Sequence, residues 1–492
     1  MPTTTATRSR AWSGPLERLD EYRWRIPTSY QPGMRVPGLV FASEKLLIDI
    51  ALDQSLQQVA NVAHLPGIVK ASMAMPDIHW GYGFPIGGVA AMDPQTGVIS
   101  PGGVGYDINC GVRLLRTDLT AEEVRPVLPG LVAGLFRNIP CGVGMSGDIR
   151  VGGREEERVM VRGAAWAVAH GYGTPDDLDH TESRGCLDGA DPSTVSDRAR
   201  QRGSDQLGTL GSGNHFMEVQ AVERIDDAHA ANLLGLFEGQ VTVMVHSGSR
   251  GFGYQICDDY LDVTSAAMAR YGISVPDRQL ACAPLTSEEG LNYLAAMRCA
   301  ANYAWANRQC LMHLARMTFE RIFQRSWEDL GMRLVYDVAH NIAKFERHRV
   351  NGKEQLLCVH RKGATRAFPP NHPETPEPYQ AVGQPVIIPG DMGRHSYVLV
   401  GAPSAMEESF GSCCHGAGRV MSRSEAVRRA AGRSIERELA AQGVIVMGRG
   451  RTGIAEEQPA AYKDVNDVVD VVHHAGLAKR VARLRPLGVI KG

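Results

Sequence analysis

Short apolar runs that end in polar residues recur along the chain, and they predict buried strands with reactive side chains at their ends. Three examples are "VTVMV", which leads into His246, "MRLVYDVA", which leads into His340, and "QPVII", which leads into "PGDMG". Runs of this length are typical of strands buried on both faces. Because rigid scaffolds hold reactive groups at strand ends and in the loops that follow, we expect functional residues there.

Three longer segments have helical patterns. The longest runs from about Leu291 to Phe323 and is rich in alanine, leucine and methionine, which are strong helix formers. A second helix is predicted from Ser424 to about Gln442, with Ser422 and Glu425 as the partners of a capping box. A third is predicted over 465–474. Strands and helices follow one another without a βαβ rhythm.

The composition indicates a soluble globular protein. The chain has 492 residues, of which 43% are hydrophobic and 22% charged, so its length permits a well-buried core. The net charge is −2, so nucleic-acid binding would have to use local basic patches. Residues 1–40 are rich in Thr, Arg, Pro and Gly, and are predicted to form a partly ordered N-terminal extension before a main domain over 41–492.

The cysteine pattern favours a reducing environment. Ten cysteines are scattered along the chain without a CxxC pair, and the N-terminus has no apolar signal core. No apolar run is long enough to span a membrane. We therefore expect a cytoplasmic protein without a membrane partner, in which most cysteines are buried packing residues.

A glycine-rich segment, "SPGGVGYDINCGVRLL", places Asp107 three residues before Cys110. A carboxylate and a thiolate together suit a borderline divalent cation such as manganese, zinc or iron. The alternative is a turn aspartate beside a core cysteine. For an isolated DxxC pair, this alternative is the better interpretation.

Three histidines strengthen the metal hypothesis. His215 follows a glycine loop in "GTLGSGNHFMEV", and His246 and His340 each follow an apolar run. Each of them alone could be structural, but together with Asp107 and Cys110 they form a possible dinuclear set. Their spacing does not prove that they converge. The glycines before His215 do not indicate a dinucleotide site, because no βαβ unit follows.

Basic residues cluster in "HRKGATRAF" (Arg361, Lys362 and Arg366) and after "GSCCHGAGR", which contains His415 and Arg419. Arginine suits phosphate contacts, and glycines let a phosphate approach the backbone. From Arg428 onward, a solvated helix face paired with glutamates is an equally good interpretation. The adjacent Cys413 and Cys414 first suggest a metal site, but they also fit packing residues.

Eight motifs in order resemble those of one family, the RtcB RNA ligases. They are "MPDIHWGYGFPIGG", "GVGYDINCGVRLL", "LGSGNHFMEV", "VHSGSRGFG", "VAHN", "HRKGATRAF", "CCHGAGR" and "AYKDVNDVV", and the match runs from about residue 40 to the final "VIKG". The resemblance implies an α+β fold, with one large RtcB-like domain over 41–492 and mixed sheets around a dinuclear metal cleft.

The resemblance also implies an activity. RtcB proteins join an RNA 3′-phosphate or 2′,3′-cyclic phosphate to a 5′-hydroxyl, using GTP and two Mn²⁺ ions per active site. The intermediates are a guanylyl-histidine and an RNA-(3′)pp(5′)G end. An archease-type activator is a further possible partner.

The resemblance also implies roles for individual residues, from their positions within the motifs. The implied metal ligands are Asp107, Cys110, His215, His246 and His340, with Cys110 bridging two ions, and the implied nucleophile is His415. The implied guanylate-binding positions are Asn214, His215, Phe216, Met217, Glu218, His340, Asn341, Pro389, Gly390, Asp391, Met392, Ser396, His415, Gly416, Ala417, Gly418, Tyr462 and Lys491. Tyr462 is expected to stack on guanine and Lys491 to contact the base.

One residue departs from the family pattern, and two other functions stay open. Asp391 stands where serine is expected in many members, which leaves its effect on nucleotide binding undecided. A phosphatase or nuclease could use the same dinuclear metal set without a covalent nucleotide. An RNA-end-binding protein with a degenerate site is a third possibility, but every ligand position carries a competent residue.

Overall fold

The computed structural model describes residues 11–492. Residues 1–10 of the predicted N-terminal extension lie outside the described residues. The rest of that segment contributes strands Glu17–Arg18, Arg23–Ile26 and Gly38–Phe41 to a sheet of the main body. The division of the chain at residue 40 stays a prediction, but these strands pair with the sheet that follows it.

The strands are β1 (Glu17–Arg18), β2 (Arg23–Ile26), β3 (Gly38–Phe41), β4 (Ile68–His79), β5 (Ile86–Met92), β6 (Val98–Ile99), β7 (Gly111–Thr120), β8 (Phe216–Ile225), β9 (Gln240–Ser247), β10 (Ala283–Pro284), β11 (Arg333–Ala339), β12 (Asn341–Val350), β13 (Lys353–Lys362), β14 (Ala364–Arg366), β15 (Pro385–Ile388), β16 (Ser396–Gly401), β17 (Ser412–Cys414), β18 (Ile445–Gly448) and β19 (Ala478–Lys491).

The α-helices are α1 (Glu44–Ile50), α2 (Ser55–Val62), α3 (Pro101–Val104), α4 (Ala121–Val124), α5 (Leu128–Asn138), α6 (Arg154–Arg162), α7 (Ala164–Ala169), α8 (Pro175–Asp179), α9 (Asp197–Gly203), α10 (Ala228–Leu234), α11 (Arg250–Arg270), α12 (Glu288–Phe323), α13 (Pro403–Ser409), α14 (Arg423–Arg429), α15 (Ile435–Ala441), α16 (Arg451–Glu456) and α17 (Val465–His474).

Two large sheets organise these elements. One has seven strands in the order β1-β2-β3-β4-β5-β13-β12, and the other has the order β11-β7-β9-β8-β19-β16-β15, with β18 added beside β19. Most pairs are antiparallel, while β3 with β4 and β18 with β19 are parallel. The predicted α+β class with mixed sheets is confirmed.

Helix α12 connects the cores of the two sheets. Its first turns, including Trp305, are buried in the core shared with the seven-stranded sheet. Its later turns, including Phe319, pack with α5 against one face of the eight-stranded sheet. Full burial of such a side chain contributes about 1.5–3 kcal/mol relative to exposure, so this helix holds the two sheets together.

The predicted helix from Ser424 to Gln442 is two helices, α14 and α15. The break occurs near Gly432, whose φ of +79° is left-handed and ends a helix at little cost in glycine. Ser434 then starts α15, because its side chain accepts a hydrogen bond from the Arg437 N–H. Ser422 caps α14 as expected, but the Glu425 carboxylate bonds to arginines of its own helix.

Other predicted elements match the structure closely. The predicted helix over 465–474 is α17 itself, and the alanine-rich helix begins three residues earlier than predicted, at Glu288. The three apolar runs are strands β9, β11 and β15. Among the described residues, no helix is both long enough and apolar enough to cross a membrane.

Candidate active site

Four neighbouring strands of the eight-stranded sheet carry the predicted metal ligands at one edge. Cys110 directly precedes β7, and His340 directly follows β11, its antiparallel neighbour. His246 lies near the end of β9, antiparallel to β7, and His215 directly precedes β8, antiparallel to β9. Because antiparallel pairing sets the end of one strand beside the start of the next, the four side chains meet.

The ligand atoms lie close to one another. The Cys110 Sγ is 3.3 Å from Nε2 of His215 and 3.2 Å from Nε2 of His246. The Nε2 of His246 is 3.2 Å from Nε2 of His340, and Nε2 of His215 is 2.8 Å from an Asp107 carboxylate oxygen. The structure thus brings all five predicted ligands together, as one thiol, one carboxylate and three imidazoles.

The protonation states of these groups fit a bound cation. Burial and the neighbouring histidines lower the pKa of His246 and His340 well below the usual value, so both rings are neutral. Burial, reinforced by Asp107, raises the pKa of the Cys110 thiol, so its deprotonation calls for a nearby positive charge. The Nδ1 of His340 is buried without a hydrogen-bond partner. Neutral imidazoles and a thiol crowded together are a donor set for a divalent cation.

The backbone orients two of the ligands. The Nδ1 of His215 lies 2.9 Å from the Leu210 carbonyl oxygen, which directs Nε2 toward Cys110. The Asp107 Oδ1 accepts a hydrogen bond from the Ser249 N–H at 3.1 Å. A Cβ on Gly248 would lie 2.4 Å from that oxygen, so only glycine allows this close approach.

A buried ion cluster on α12 supports the ligand strands from behind. Arg308 donates to the Asn109 carbonyl at 2.6 Å and to the Ser247 carbonyl at 3.0 Å, directly beside Cys110 and His246 in the chain. Its charge is balanced by Asp337, with Nε and the nearest carboxylate oxygen 2.8 Å apart. Both side chains of the pair are fully buried. Arg308 therefore fixes the backbone that presents the thiol and one imidazole.

His415 lies at the edge of this cluster, one residue after β17. Its ring centroid is 4.8 Å from that of His340, in an edge-to-face arrangement. Its Nδ1 is 2.5 Å from Oδ2 of Asp77, which also accepts hydrogen bonds from the backbone N–H groups of His415 and Gly416. Within the described residues Nε2 of His415 makes no hydrogen bond, so that nitrogen remains available for chemistry.

Asp77 is a site residue that sequence reasoning missed. It lies fully buried in β4, and the Nζ of Lys463 donates to the backbone carbonyls on either side of it, those of Pro76 and Ile78. Burial opposes ionisation of Asp77, but the contacts with His415 outweigh that effect and lower its pKa. A carboxylate within an otherwise apolar run, "MAMPDIH", was the available signal.

A cleft of about 1050 Å³ opens over His415 and four of the predicted metal ligands, all except His215. Most of the predicted guanylate-binding positions line it. They are Asn214, Phe216, Glu218, His340, Asn341, Pro389, Gly390, Asp391, Met392, Ser396, His415, Gly416, Ala417, Gly418, Tyr462 and Lys491. The residues of the motifs are therefore gathered around one space.

Met217 is placed differently. It alternates along β8 with Phe216 and Glu218, whose side chains face the cleft, and its own side chain packs into the core behind the sheet. Asn341 lines the cleft, but its side chain is occupied: Nδ2 donates to the Asp107 carbonyl at 3.0 Å and Oδ1 accepts from the Gly363 N–H at 2.8 Å. Asn341 thus supports the loop that carries Asp107.

Two buried ionisable groups face the cleft from neighbouring strands. Burial raises the pKa of Glu218 to about 8, so this carboxyl group is largely neutral at pH 7. Burial lowers the pKa of Lys491, although the carboxylate of Glu457 opposes that shift. The Lys491 Nζ is 3.8 Å from the nearest Glu457 oxygen. A hydrogen-bonding ligand in this part of the cleft would meet one acid and one ammonium group.

Tyr462 and Arg419 form a cluster around Glu457. The Tyr462 hydroxyl donates to the Glu457 carboxylate, and an Arg419 nitrogen lies 3.1 Å from the same side chain. The Arg419 guanidinium also lies 5.1 Å from the Tyr462 ring centroid. Arg419, which was expected to contact a phosphate, is therefore already paired with a buried carboxylate.

Asp391 has a structural role in the "PGDMG" turn. Its Oδ1 accepts hydrogen bonds from the N–H groups of Gly393 and Arg394, at 3.0 and 3.1 Å. Its Oδ2 is 2.6 Å from Nε of Arg394, and its side chain is fully buried. Nearby, the Ser396 hydroxyl accepts from the Gly390 N–H at 3.2 Å. The carboxylate therefore closes the turn instead of pointing as a free charge into the cleft.

The basic cluster in "HRKGATRAF" is mostly structural, so the expected phosphate contacts are wrong for two of its members. Arg361 is fully buried and paired with Glu346 at 2.7 Å, and Arg366 is buried and paired with Glu374 at 2.7 Å. Lys362 alone of the three lines the cleft. Cys413 and Cys414 are fully buried, in agreement with a packing role.

Comparison with known proteins identifies the family. The family model described as "tRNA-splicing ligase RtcB" matches residues 58–492. The chain belongs to the RtcB family. It is 57% identical to a tRNA-splicing ligase RtcB of Archaeoglobus fulgidus over 479 residues, covering 97% of this chain and 99% of that relative. It is 55% identical to an RNA-splicing ligase RtcB of Mycobacterium bovis over 438 residues, covering 88% of this chain and all of that relative.

A third relative gives the same result. A tRNA-splicing ligase RtcB of Thermococcus kodakarensis is 55% identical over 478 residues, covering 97% of this chain and 99% of that protein. The resemblance inferred from the eight motifs is confirmed, and with it the expectation of a ligase enzyme. The family match over 58–492 includes the whole eight-stranded sheet, strands β4, β5, β12 and β13 of the other sheet, and most of the residues that line the cleft.

Proposed function

We propose that this RtcB protein joins RNA ends, with a 3′-phosphate or 2′,3′-cyclic phosphate on one strand and a 5′-hydroxyl on the other. GTP supplies the energy, and His415 carries the guanylate. The observation that supports this proposal best is the His415 ring itself. Its Nδ1 is held by Asp77, and Nε2 is free beside the converged ligand set.

In the first step, Nε2 of His415 attacks the α-phosphorus of GTP and pyrophosphate leaves. The Asp77 carboxylate keeps the proton on Nδ1, so Nε2 presents its lone pair, and it stabilises the positive charge that develops on the ring. The product is a phosphoramidate between His415 and GMP. Gly416, Ala417 and Gly418 line the cleft next to His415, where the phosphates of GTP would lie.

In the second step, an oxygen of the RNA 3′-phosphate attacks the same phosphorus and His415 leaves, giving an RNA-(3′)pp(5′)G end. In the third step, the 5′-hydroxyl oxygen of the other strand attacks the RNA phosphorus and GMP leaves. Phosphoryl transfer of this kind depends on positioning and charge neutralisation. A cyclic phosphate must first be opened by water to a 3′-phosphate.

Asp107, Cys110, His215, His246 and His340 would hold two Mn²⁺ ions, with Cys110 shared between them. When bound, the ions supply positive charge to the phosphates and lower the pKa of water. The proposal also assigns guanine stacking to Tyr462 and a base contact to Lys491. A cytoplasmic location and an archease-type activator belong to the same proposal.

The test is to incubate the protein with α-³²P-labelled GTP and Mn²⁺ and then denature it. Wild type should keep an acid-labile, alkali-stable label, and His415→Ala should keep none while staying folded. His229→Ala, which removes an exposed histidine from α10, is the matched control and should label normally. Unlabelled wild-type protein that cleaves or dephosphorylates RNA would support a metal-dependent hydrolase instead.

A further inference from the structure

Trp80 is an exposed aromatic residue in the wall of the cleft. It lines the cleft with 60% of its surface accessible, although tryptophan is usually largely buried. Across the described residues its indole stacks on no other ring and no guanidinium or ammonium group, and its Nε1–H makes no hydrogen bond. The indole therefore contributes little to the stability of the fold.

The backbone that carries Trp80 is held firmly in place. The Trp80 N–H donates to the Asp53 carboxylate at 3.0 Å. Gly81 exchanges two hydrogen bonds with the Gln58 side chain, at 2.7 and 3.0 Å. Further along, Gly83 has a φ of +68°, and a Cβ there would lie 2.3 Å from the Gln279 carbonyl oxygen. The segment that carries Trp80 is therefore already ordered, and stacking of a ligand on the indole does not carry the entropy cost of ordering a loop.

Trp80 is also close along the chain to Asp77, the partner of the reacting histidine. It follows directly after β4 and is three residues from Asp77, which holds His415. At a strand rise of about 3.3 Å per residue, this separation is about 10 Å. This distance corresponds to one or two nucleotides. An RNA strand whose end reaches His415 would therefore pass close enough to the indole for one of its bases to contact it.

Positive charge is available in the same cleft. Arg428 and Arg429 both line the cleft, and their side chains are 67% and 61% exposed. Both pair with the single carboxylate of Glu425, so two guanidinium groups share one negative charge. The excess charge suits a phosphate backbone.

We propose that Trp80 stacks on a base near the 3′ end of the RNA strand that carries the 3′-phosphate. The inference rests on the proposed function, in which that phosphate must reach the phosphorus on His415. Arg428 and Arg429 neutralise the backbone of the same strand. Because every base has a π-face, the contact adds affinity without base preference, as suits an enzyme that receives different RNA ends.

The main test measures formation of RNA-(3′)pp(5′)G from single-stranded 3′-phosphate RNA, without a 5′-hydroxyl strand. A second assay measures joining to a 5′-hydroxyl strand whose first four nucleotides are replaced in turn by abasic nucleotides. Each of the last four nucleotides is replaced in turn by an abasic nucleotide, and the half-saturating RNA concentration is measured for wild type, Trp80→Leu and Trp80→Tyr. Phe237→Leu removes an exposed ring that does not line the cleft, and is the matched control. Thermal unfolding confirms that every variant is folded.

Trp80→Leu should raise the half-saturating concentration by roughly 5- to 140-fold, the range that 1–3 kcal/mol of base stacking corresponds to. One abasic position should cost wild type a similar factor and cost Trp80→Leu almost nothing further, because the two changes remove the same contact. Trp80→Tyr should recover most of the affinity, and Phe237→Leu should behave as wild type.

Independent, multiplying effects of Trp80→Leu and every abasic position would overturn the proposal, as would an unchanged half-saturating concentration. An abasic effect that appears only in the 5′-hydroxyl strand, during the joining step, would overturn the strand assignment. These failures differ from failure of the proposed function. In that case wild type itself forms neither the protein–GMP adduct nor the activated RNA end.

Discussion

The Oδ2 of Asp77 lies 2.5 Å from Nδ1 of His415 and also accepts the His415 backbone N–H at 3.0 Å. One carboxylate thus fixes both the position and the tautomer of the ring. Asp77 is fully buried, while His415 is partly exposed to the cleft. The pair resembles the acid–histidine half of a catalytic triad, with the imidazole itself as the proposed nucleophile.

Asp77→Asn should slow protein–GMP formation by roughly 10²- to 10⁴-fold, because an amide can donate to Nδ1 and place the proton on the wrong nitrogen. The rate of labelling with α-³²P-GTP measures this effect. Mn²⁺ content should stay unchanged, since Asp77 is not among the converged ligands. Asp188→Asn, an exposed substitution, is the control, and equal labelling rates for the two variants would refute the positioning role.

Arg308→Met should weaken Mn²⁺ binding by about 10- to 100-fold, because the backbone beside Cys110 and His246 loses its support. It should also destabilise the protein by about 1–3 kcal/mol, because the buried Asn109 and Ser247 carbonyls lose a donor while Asp337 keeps its ion pair with Arg113. Calorimetric titration with Mn²⁺ measures the first effect and urea unfolding the second. Arg321→Met, an exposed change on the same helix, is the control; equal Mn²⁺ affinities in the two variants would contradict the prediction.

Tyr462→Ala should raise the half-saturating GTP concentration for guanylylation by roughly 5- to 140-fold, the range expected for loss of stacking on a base. Tyr462→Phe keeps the ring and loses only the hydroxyl contact with Glu457, so its change should be much smaller. Initial labelling rates over a GTP series separate the two. If the phenylalanine variant is as impaired as the alanine variant, the hydroxyl matters and stacking does not.

Glu218→Gln should flatten the pH dependence of stability. Burial raises the Glu218 pKa from 4.5 to about 8, so between these values the unfolded chain has lost a proton that the folded chain retains. The stability of wild type relative to the variant is therefore greatest below pH 4.5 and falls as pH rises toward 8, at most by about 1.4 kcal/mol per unit.

Urea unfolding at pH 5, 6.5 and 8 measures this difference. Glu328→Gln, which changes an exposed glutamate, should follow wild type at every pH. Parallel stability curves for wild type and Glu218→Gln would show that Glu218 ionises normally in the folded protein.

The parts of the site that sequence reasoning predicted are those with a local signal. His246 and His340 stand at the ends of apolar runs, and these runs are visible without knowledge of their neighbours. The order of the motifs then identified the family. Antiparallel pairing of β11, β7, β9 and β8 explains why the ligands converge, and that pairing could not be read from spacing.

The parts that were missed depend on partners far away in the chain. Asp77 is a site residue because it hydrogen-bonds to His415. Arg361 does not face the cleft because it is buried in an ion pair with Glu346 on the neighbouring strand. The sequence alone does not distinguish a buried, ion-paired arginine from an arginine that binds phosphate. The break between α14 and α15 does have a local signal, the glycine at position 432. The residues on both sides favour a helix, and the sequence therefore predicted one continuous helix.

Asp77 and His415 are 338 positions apart, and this separation has a consequence for synthesis of the chain. All five converged ligands precede His415, so a growing polypeptide acquires its donor groups before it acquires its nucleophile. Strand β19, which pairs with β8 next to His215, is made later still, so the sheet that carries the ligands is completed only after His415 has been added. The proposed reaction with GTP would therefore require segments far apart in the chain to be made and brought together first.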